Sequence, residues 1–220
     1  MVLTGKIIGP TVGPVVRACD VLKQAASLTE TTLTVDDAGY GPRTMRVSRQ
    51  GEVLIKPITN LRNSFSVALV AADPRKFGPA LTGSTRLPST SGGFTFPHTF
   101  PHTINAVTTA GNTSLTNPGD IDGPVLLRLD GPVDYPVVTH TGPDGARTVF
   151  GLGMQLQAGE FVTVDMDAQT ILAQGQSSRA RSITARGWQA FKPGVNTWSL
   201  AAATYNASAL LTVTVSPTWE

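Results

Sequence analysis

RNSFSVALVAADPRKFG, Arg62 to Gly78, alternates apolar and polar side chains and then breaks at a proline. Phe65, Val67 and Leu69 fall on one face of a period-two pattern, as a strand buried on one side requires. Asp73-Pro74-Arg75 stops it, because proline removes a ladder donor and restricts φ. The stretch divides the chain. Before it lies the one segment with good helical spacing, and after it the pattern is short strands and turns.

Working back towards the N-terminus, Val2 to Ile8 reads as a strand ended by Gly9-Pro10. Pro14 to Leu28 predicts a helix, with Gly13 and Pro14 at its start and a core stripe of Ala18, Val21, Leu22, Ala25 and Leu28. Cys19 falls on the apolar side of that helix and reads as a small buried hydrophobe. Thr32 to Val35 is a short strand. Thr44 to Arg49 and Glu52 to Ile58 are expected to pair as a hairpin around Gln50-Gly51, with Met45, Val47, Val53 and Ile55 inward.

Working forward, the stretch from Leu81 to Thr103 is rich in Ser, Thr, Gly and Pro. It contains a duplication, Phe96-Pro97-His98-Thr99 followed by Phe100-Pro101-His102-Thr103. Its prolines disfavour a central strand, so an extended arm packed along a surface is expected. From Ile104 onward the reading is β throughout. Val125, Leu127 and Leu129 alternate with Leu126 and Arg128, and Phe150, Leu152, Met154 and Leu156 follow the same rule. Val162, Val164 and Met166 lead to a turn near Asp167-Ala168, and Ile171-Leu172 returns. Trp198 and Leu200 follow Pro193-Gly194, and Leu211, Val213 and Val215 form a last strand. The expected fold is mainly β. A small α+β domain of one helix on a sheet spans 1–78, a connecting arm 79–103, and a β-sandwich of jelly-roll or galectin-like type 104–220.

Composition agrees. The 220 residues include 22 Gly and 16 Pro, which suit tight turns between strands and argue against bundles and coiled coils. Lys plus Arg number 17 against 15 Asp plus Glu, a near-neutral balance without a basic run, so no specific nucleic-acid binding is expected. One cysteine excludes an intrachain disulfide framework and a multi-cysteine metal site. VLTGKIIGP is too broken by glycine for a signal peptide, and no segment has the roughly 20 apolar residues of a membrane span. The chain reads as soluble and made in the cytoplasm.

Candidate chemistry is sparse. His98 and His102 are four apart, but each follows a proline, so a shared helical face for a metal is ruled out and they read as loop residues of the arm. His140 is isolated. The pairs Asp120/Asp122 and Asp165/Asp167 share the i, i+2 spacing that would suit calcium or a carboxylate pair. Turn formation explains Asp120 better, because it lies in Asn117-Pro118-Gly119-Asp120-Ile121-Asp122-Gly123. There is no nucleophile elbow and no phosphate-cradling loop. No catalytic, cofactor or metal site is expected, and the chain reads as a protein without enzymatic activity. Trp188, Trp198 and Trp219 could stack on sugars or fill the core. Trp198 reads as core, which leaves Trp188 and Trp219 as the sugar-stacking candidates.

Several blocks together resemble the distal tail proteins of long, flexible-tailed bacteriophages. These are Phe65 to Gly78 with its Asp-Pro-Arg exit, and the Pro-rich arm with Asn117-Pro118-Gly119 and Gly131-Pro132. They continue with Leu156 to Asp165 (LQAGEFVTVD), and with Trp188 to Trp198 (the WQAFKPGVNTW run) before the final apolar strand and Pro217-Thr218-Trp219. Their order spans about Val2 to Trp219. The resemblance implies a structural virion protein at the tail tip, a minor tail protein forming a homohexameric ring. That hub would join the tail tube to the adsorption apparatus, with tube protein, tape measure and receptor-binding proteins as neighbours. On this view Phe96, His98, Phe100 and His102 are assembly contacts. One departure concerns the start. The family begins with further strands ahead of the helix, whereas VLTGKII alone precedes it here, so an incomplete first domain is expected. Two other classes compete: a carbohydrate-binding sandwich that attaches a particle to the host surface, and a wall hydrolase using Asp165 and Asp167.

Overall fold

The computed structural model describes residues 1–26, 28–37, 41–91, 107–109 and 111–220, so Phe96, His98, Phe100 and His102 lie outside the described residues. The chain divides into two compact units, one of Met1–Gly78 with Glu220 and one of Pro79–Trp219.

The first unit contains β1 (Val2–Ile8), α1 (Val12–Ala25), β2 (Thr31–Asp37), β3 (Gly41–Thr59), β4 (Arg62–Val70) and β5 (Lys76–Phe77). All pairings are antiparallel. β4 lies between β1 and β3, in register Lys6↔Ser64↔Lys56. Its alternation is as expected: Val67 and Leu69 are buried, with Phe65 packed against them. The expected hairpin about Gln50-Gly51 does not form. Thr44 to Ile58 belongs to one long strand, whose first part pairs with β2 and whose second part pairs with β4. The register slips between Gln50 and Leu54, and Gly51 there has φ of +78°. A glycine able to take positive φ serves a bulge as well as a hairpin turn, and the local pattern does not distinguish the two.

Helix α1 starts two residues earlier than expected and buries a different stripe. Val15 and Cys19 are buried, and Leu22 and Ala26 pack on Val47, Val67 and Leu69 of the sheet. Val21 is 62% exposed, and Leu28, beyond the helix end, is 70% exposed. Arg17, Asp20, Lys23 and Gln24 mark one polar face, and the apolar arc opposite is wide enough that contact with the sheet, rather than the 3.6 period, decides which part of it is buried. Cys19 is buried as expected, and Asn63 Nδ2 donates to its Sγ at 3.2 Å.

The second unit is a two-sheet sandwich. In chain order it holds β6 (Leu81–Arg86), β7 (Ser89–Ser91), β8 (Val107–Thr109), β9 (Asn112–Asn117), β10 (Val125–Asp130) and β11 (Val133–Asp134). β12 (Val137–Thr141), β13 (Arg147–Leu152), β14 (Gln155–Leu156), β15 (Phe161–Asp165), β16 (Thr170–Ala173) and β17 (Ser177–Ser178) follow. A 3-10 turn at Ala180–Ser182 then leads to β18 (Ile183–Arg186), β19 (Gly194–Ala201), β20 (Leu210–Val215) and β21 (Thr218–Trp219). One sheet runs β17-β16-β15-β10-β20-β6 and the other β18-β13-β12-β19-β9. Between them pack Leu127, Leu129, Val164, Leu211 and Val213 from the first, and Val138, Phe150, Trp198 and Leu200 from the second.

Two expectations for this region are corrected. Leu81 to Arg86 is not part of an arm: it is the edge strand beside β20, with Thr85 turned inward. An edge position tolerates the flanking prolines that would exclude a central strand. The run Phe150 to Leu156 is not one strand. It leaves its sheet after Leu152, Gly153 N–H donates to Ser182 O, and Leu156 then pairs with Val133.

Candidate assembly surface

In an antiparallel sheet the outermost strand leaves half its N–H and C=O groups without a ladder partner, ready to pair with another chain. In the first unit β1 and β2 occupy such positions, each seven residues long. Their side chains add apolar area: Val2, Leu3, Ile8 and Val35 are all at least 40% exposed. On α1, Val12 and Val16 are one turn apart and each 53% exposed. Of the 18 large hydrophobic residues exposed among the described residues, 13 fall in this unit, although it is much the shorter of the two. An apolar hollow of about 320 Å³ opens among Leu3, Leu22, Ala26, Leu33, Val67 and Leu69. These edges, the helix stripe and the hollow are the candidate interaction surfaces of the unit.

The Asp-Pro-Arg exit is a clamp. Asp73 Oδ1 accepts the Arg75 backbone N–H at 3.0 Å, and the carboxylate also takes Arg75 Nε at 2.9 and 3.0 Å and Nη2 at 2.8 Å. The Arg75 guanidinium lies 5.3 Å from the centre of the Phe77 ring. The Arg75 hydrogen bond holds the Asp73 carboxyl below the usual carboxylate range. Pro74 supplies a rigid φ between the two charged residues, so the strand-ending tripeptide carries its own turn chemistry.

In the sandwich, the most elaborate polar arrangement is internal. Trp198 is fully buried, stacks on His140 with centroids 4.8 Å apart, and donates Nε1–H to Gln189 Oε1 at 3.0 Å. Gln189 Nε2 donates to Val138 O. His140 is 2% exposed and its Nε2–H donates to Asn196 Oδ1 at 2.9 Å. Asn196 also accepts from Lys192 N–H and donates to Lys192 O and Gly194 O. Burial lowers the His140 pKa; the Asn196 hydrogen bond opposes this, and the Lys192 charge adds to the lowering. His140, isolated in sequence, is therefore the ring under the core tryptophan. No local pattern reports this, because His140 and Asn196 meet only through the β12–β19 pairing. Asn117 extends the set, donating to Phe191 O at 2.7 Å and Ile121 O at 3.2 Å. These buried amides secure the loop between Gly187 and Gly194.

The other sequence candidates are placed as follows. Trp198 is core. Trp188 is half-buried, its ring 5.4 Å from Phe150, and Trp219 is half-buried on β21. Asp165 Oδ1 accepts the N–H groups of Asp167 and Ala168, so it caps the β15–β16 turn. Among the described residues no cluster of three His, Cys, Asp or Glu could hold a metal ion, and no helix is long and apolar enough to cross a membrane.

No protein-family model and no curated protein matches the sequence. Solved structures do resemble it. The crystal structure of the Dit protein of phage SPP1, described as a paradigm of hub adsorption apparatus in Gram-positive infecting phages, aligns with a TM-score of 0.62 at 13% identity. That alignment covers 100% of this chain and 78% of the SPP1 chain. A chain of the phage P2 baseplate in its activated conformation aligns with a TM-score of 0.46 at 9% identity, over 96% of this chain and 78% of that one. This chain, from end to end, has the fold of the SPP1 hub protein.

Proposed function

We propose that this protein is a structural component of a phage tail tip, a distal hub that forms a homo-oligomeric ring and joins the tail tube to the adsorption apparatus. The observation that carries the reading is the fold likeness to the SPP1 hub protein along the whole chain, through both units. The concentration of exposed apolar side chains and strand edges in the first unit supports it. A closed ring needs two different complementary patches on each copy. The β1 edge, the β2 edge and the Val12/Val16 stripe offer such patches through strand addition and apolar contact. A hexamer is the expected closure, with tube, tape-measure and tip proteins as neighbours.

Light scattering coupled to size exclusion tests this at several concentrations. A discrete species of roughly six times the 23.1 kDa chain supports it. A monomer at every concentration, together with failure to enter assembling tails, refutes it. A second reading concerns the sandwich, where Trp188 is half-buried. Sugar binding there predicts that Trp188→Ala abolishes calorimetric binding to cell-wall polysaccharide; absence of wild-type binding at millimolar ligand removes the idea.

A further inference from the structure

Residues 79–219 hold seven Lys or Arg against eight Asp or Glu, so the sandwich is close to neutral. Its basic groups are unevenly used. Arg86 donates to Ala207 O, Arg128 is paired with Asp130, and Lys192 with Asp144. Arg179, Arg181 and Arg186 are exposed and lie within eight residues of one another. Their guanidinium groups make no hydrogen bond or ion pair with any described residue. The segment that carries them, Ser177-Ser178-Arg179-Ala180-Arg181-Ser182-Ile183-Thr184-Ala185-Arg186, contains no acid.

The fold explains why these charges are held together. β17 is the outer strand of one sheet and β18 the outer strand of the other, so the chain crosses between sheets at the edge of the sandwich. Arg179 N–H donates to Ile171 O, and Ser182 N–H donates to Arg179 O across the 3-10 turn. These bonds fix the crossing at both ends and leave a hollow of about 410 Å³ lined by Ser178, Arg179, Ala180, Arg181 and Ser182. In the β15–β16 hairpin beside it, Asp165 Oδ1 takes the N–H groups of its own turn. Guanidinium with hydroxyl donors is the side-chain chemistry that matches phosphate oxygens.

We propose that this crossing is a binding site for a polymer with repeated phosphodiester groups on a polyol or sugar chain. Nucleic acid fits less well. The segment has no aromatic ring on which a base could stack, and three cations are few for a duplex. The proposal does not depend on ring formation and applies equally to a monomer.

The test uses the full chain with poly(glycerol phosphate), titrated at 50 and 200 mM salt, and with poly-dT at equal phosphate concentration. Three phosphate contacts predict a log–log salt slope of about −2 to −2.7, or a roughly 20- to 40-fold loss of affinity over that range. Arg179→Gln/Arg181→Gln/Arg186→Gln should bind at least about tenfold more weakly with a slope near zero. Arg147→Gln, which removes an exposed arginine elsewhere on the sandwich, should bind as wild type. The proposal is overturned if wild type does not bind at millimolar phosphate, or if Arg147→Gln weakens binding as much as the triple variant. It is equally overturned if poly-dT binds as tightly as poly(glycerol phosphate). A triple variant that aggregates while keeping full affinity would show that the arginines only guard strand edges, which also overturns it.

Discussion

Replacing Trp198 with phenylalanine removes one hydrogen-bond donor and part of one ring from the centre of the sandwich. The indole is completely buried, and its N–H satisfies Gln189 Oε1, on a residue only 4% exposed. Leaving that oxygen without a donor costs about 1–3 kcal/mol. The lost ring atoms add about 1–1.5 kcal/mol at roughly 0.8 kcal/mol per buried carbon group. Stacking on His140 survives in part, because a six-membered ring remains over the imidazole. The expected destabilisation is therefore about 2–4 kcal/mol in urea unfolding followed by circular dichroism. Gln189→Met, which strands the indole N–H and also takes the Nε2 donor from Val138 O, should cost at least about 1–3 kcal/mol. The double variant lacks both partners and should cost at least about 1 kcal/mol less than the sum of the two. Additivity within about 0.5 kcal/mol would refute the claim that the Trp198–Gln189 bond organises this core.

Other outcomes follow from the same structure. His140 is neutral in the fold with its pKa lowered by burial, so the unfolded chain binds the extra proton first. Stability should be complete above about pH 6.5 and decline as pH falls below it, and His140→Phe should flatten that decline in melts across the range. Asp73 has a lowered pKa, so its contribution is present above the ordinary carboxylate pKa and lost as pH falls through the folded value. Its side chain is 38% exposed, so Asp73→Asn should cost only up to about 1 kcal/mol at neutral pH and nothing in strong acid. A Cβ on Gly119 would clash with the backbone oxygen of Thr218, so Gly119→Ala should destabilise the sandwich by about 1–3 kcal/mol, read as a lower urea midpoint. Val16→Glu on the exposed helix stripe should leave monomer stability within about 0.5 kcal/mol while reducing any large species seen by light scattering. An unchanged oligomer would exclude that stripe from the interface.

Local pattern alone located the main core strands and the face that each buries. Leu127 and Leu129, Val162 and Val164, and Leu211, Val213 and Val215 all alternate on local grounds, because a strand half in water must repeat every two residues. The order of its blocks also pointed to the hub-type fold that the SPP1 likeness shows. Local pattern was insufficient wherever two local solutions satisfied the same residues. Gly51 suited a hairpin or a bulge, and the helix offered a wide apolar arc, of which the sheet selected Val15, Cys19, Leu22 and Ala26. Leu81 to Arg86 looked like a linker until β20 supplied its ladder. Partners distant in sequence were decided by the tertiary structure alone. His140 meets Asn196 across 56 residues, and Arg179 and Arg186 frame one edge because the chain changes sheets between them. Periodicity reports how a residue faces its own element, whereas a site depends on which elements become neighbours, and that is settled by packing of the whole chain.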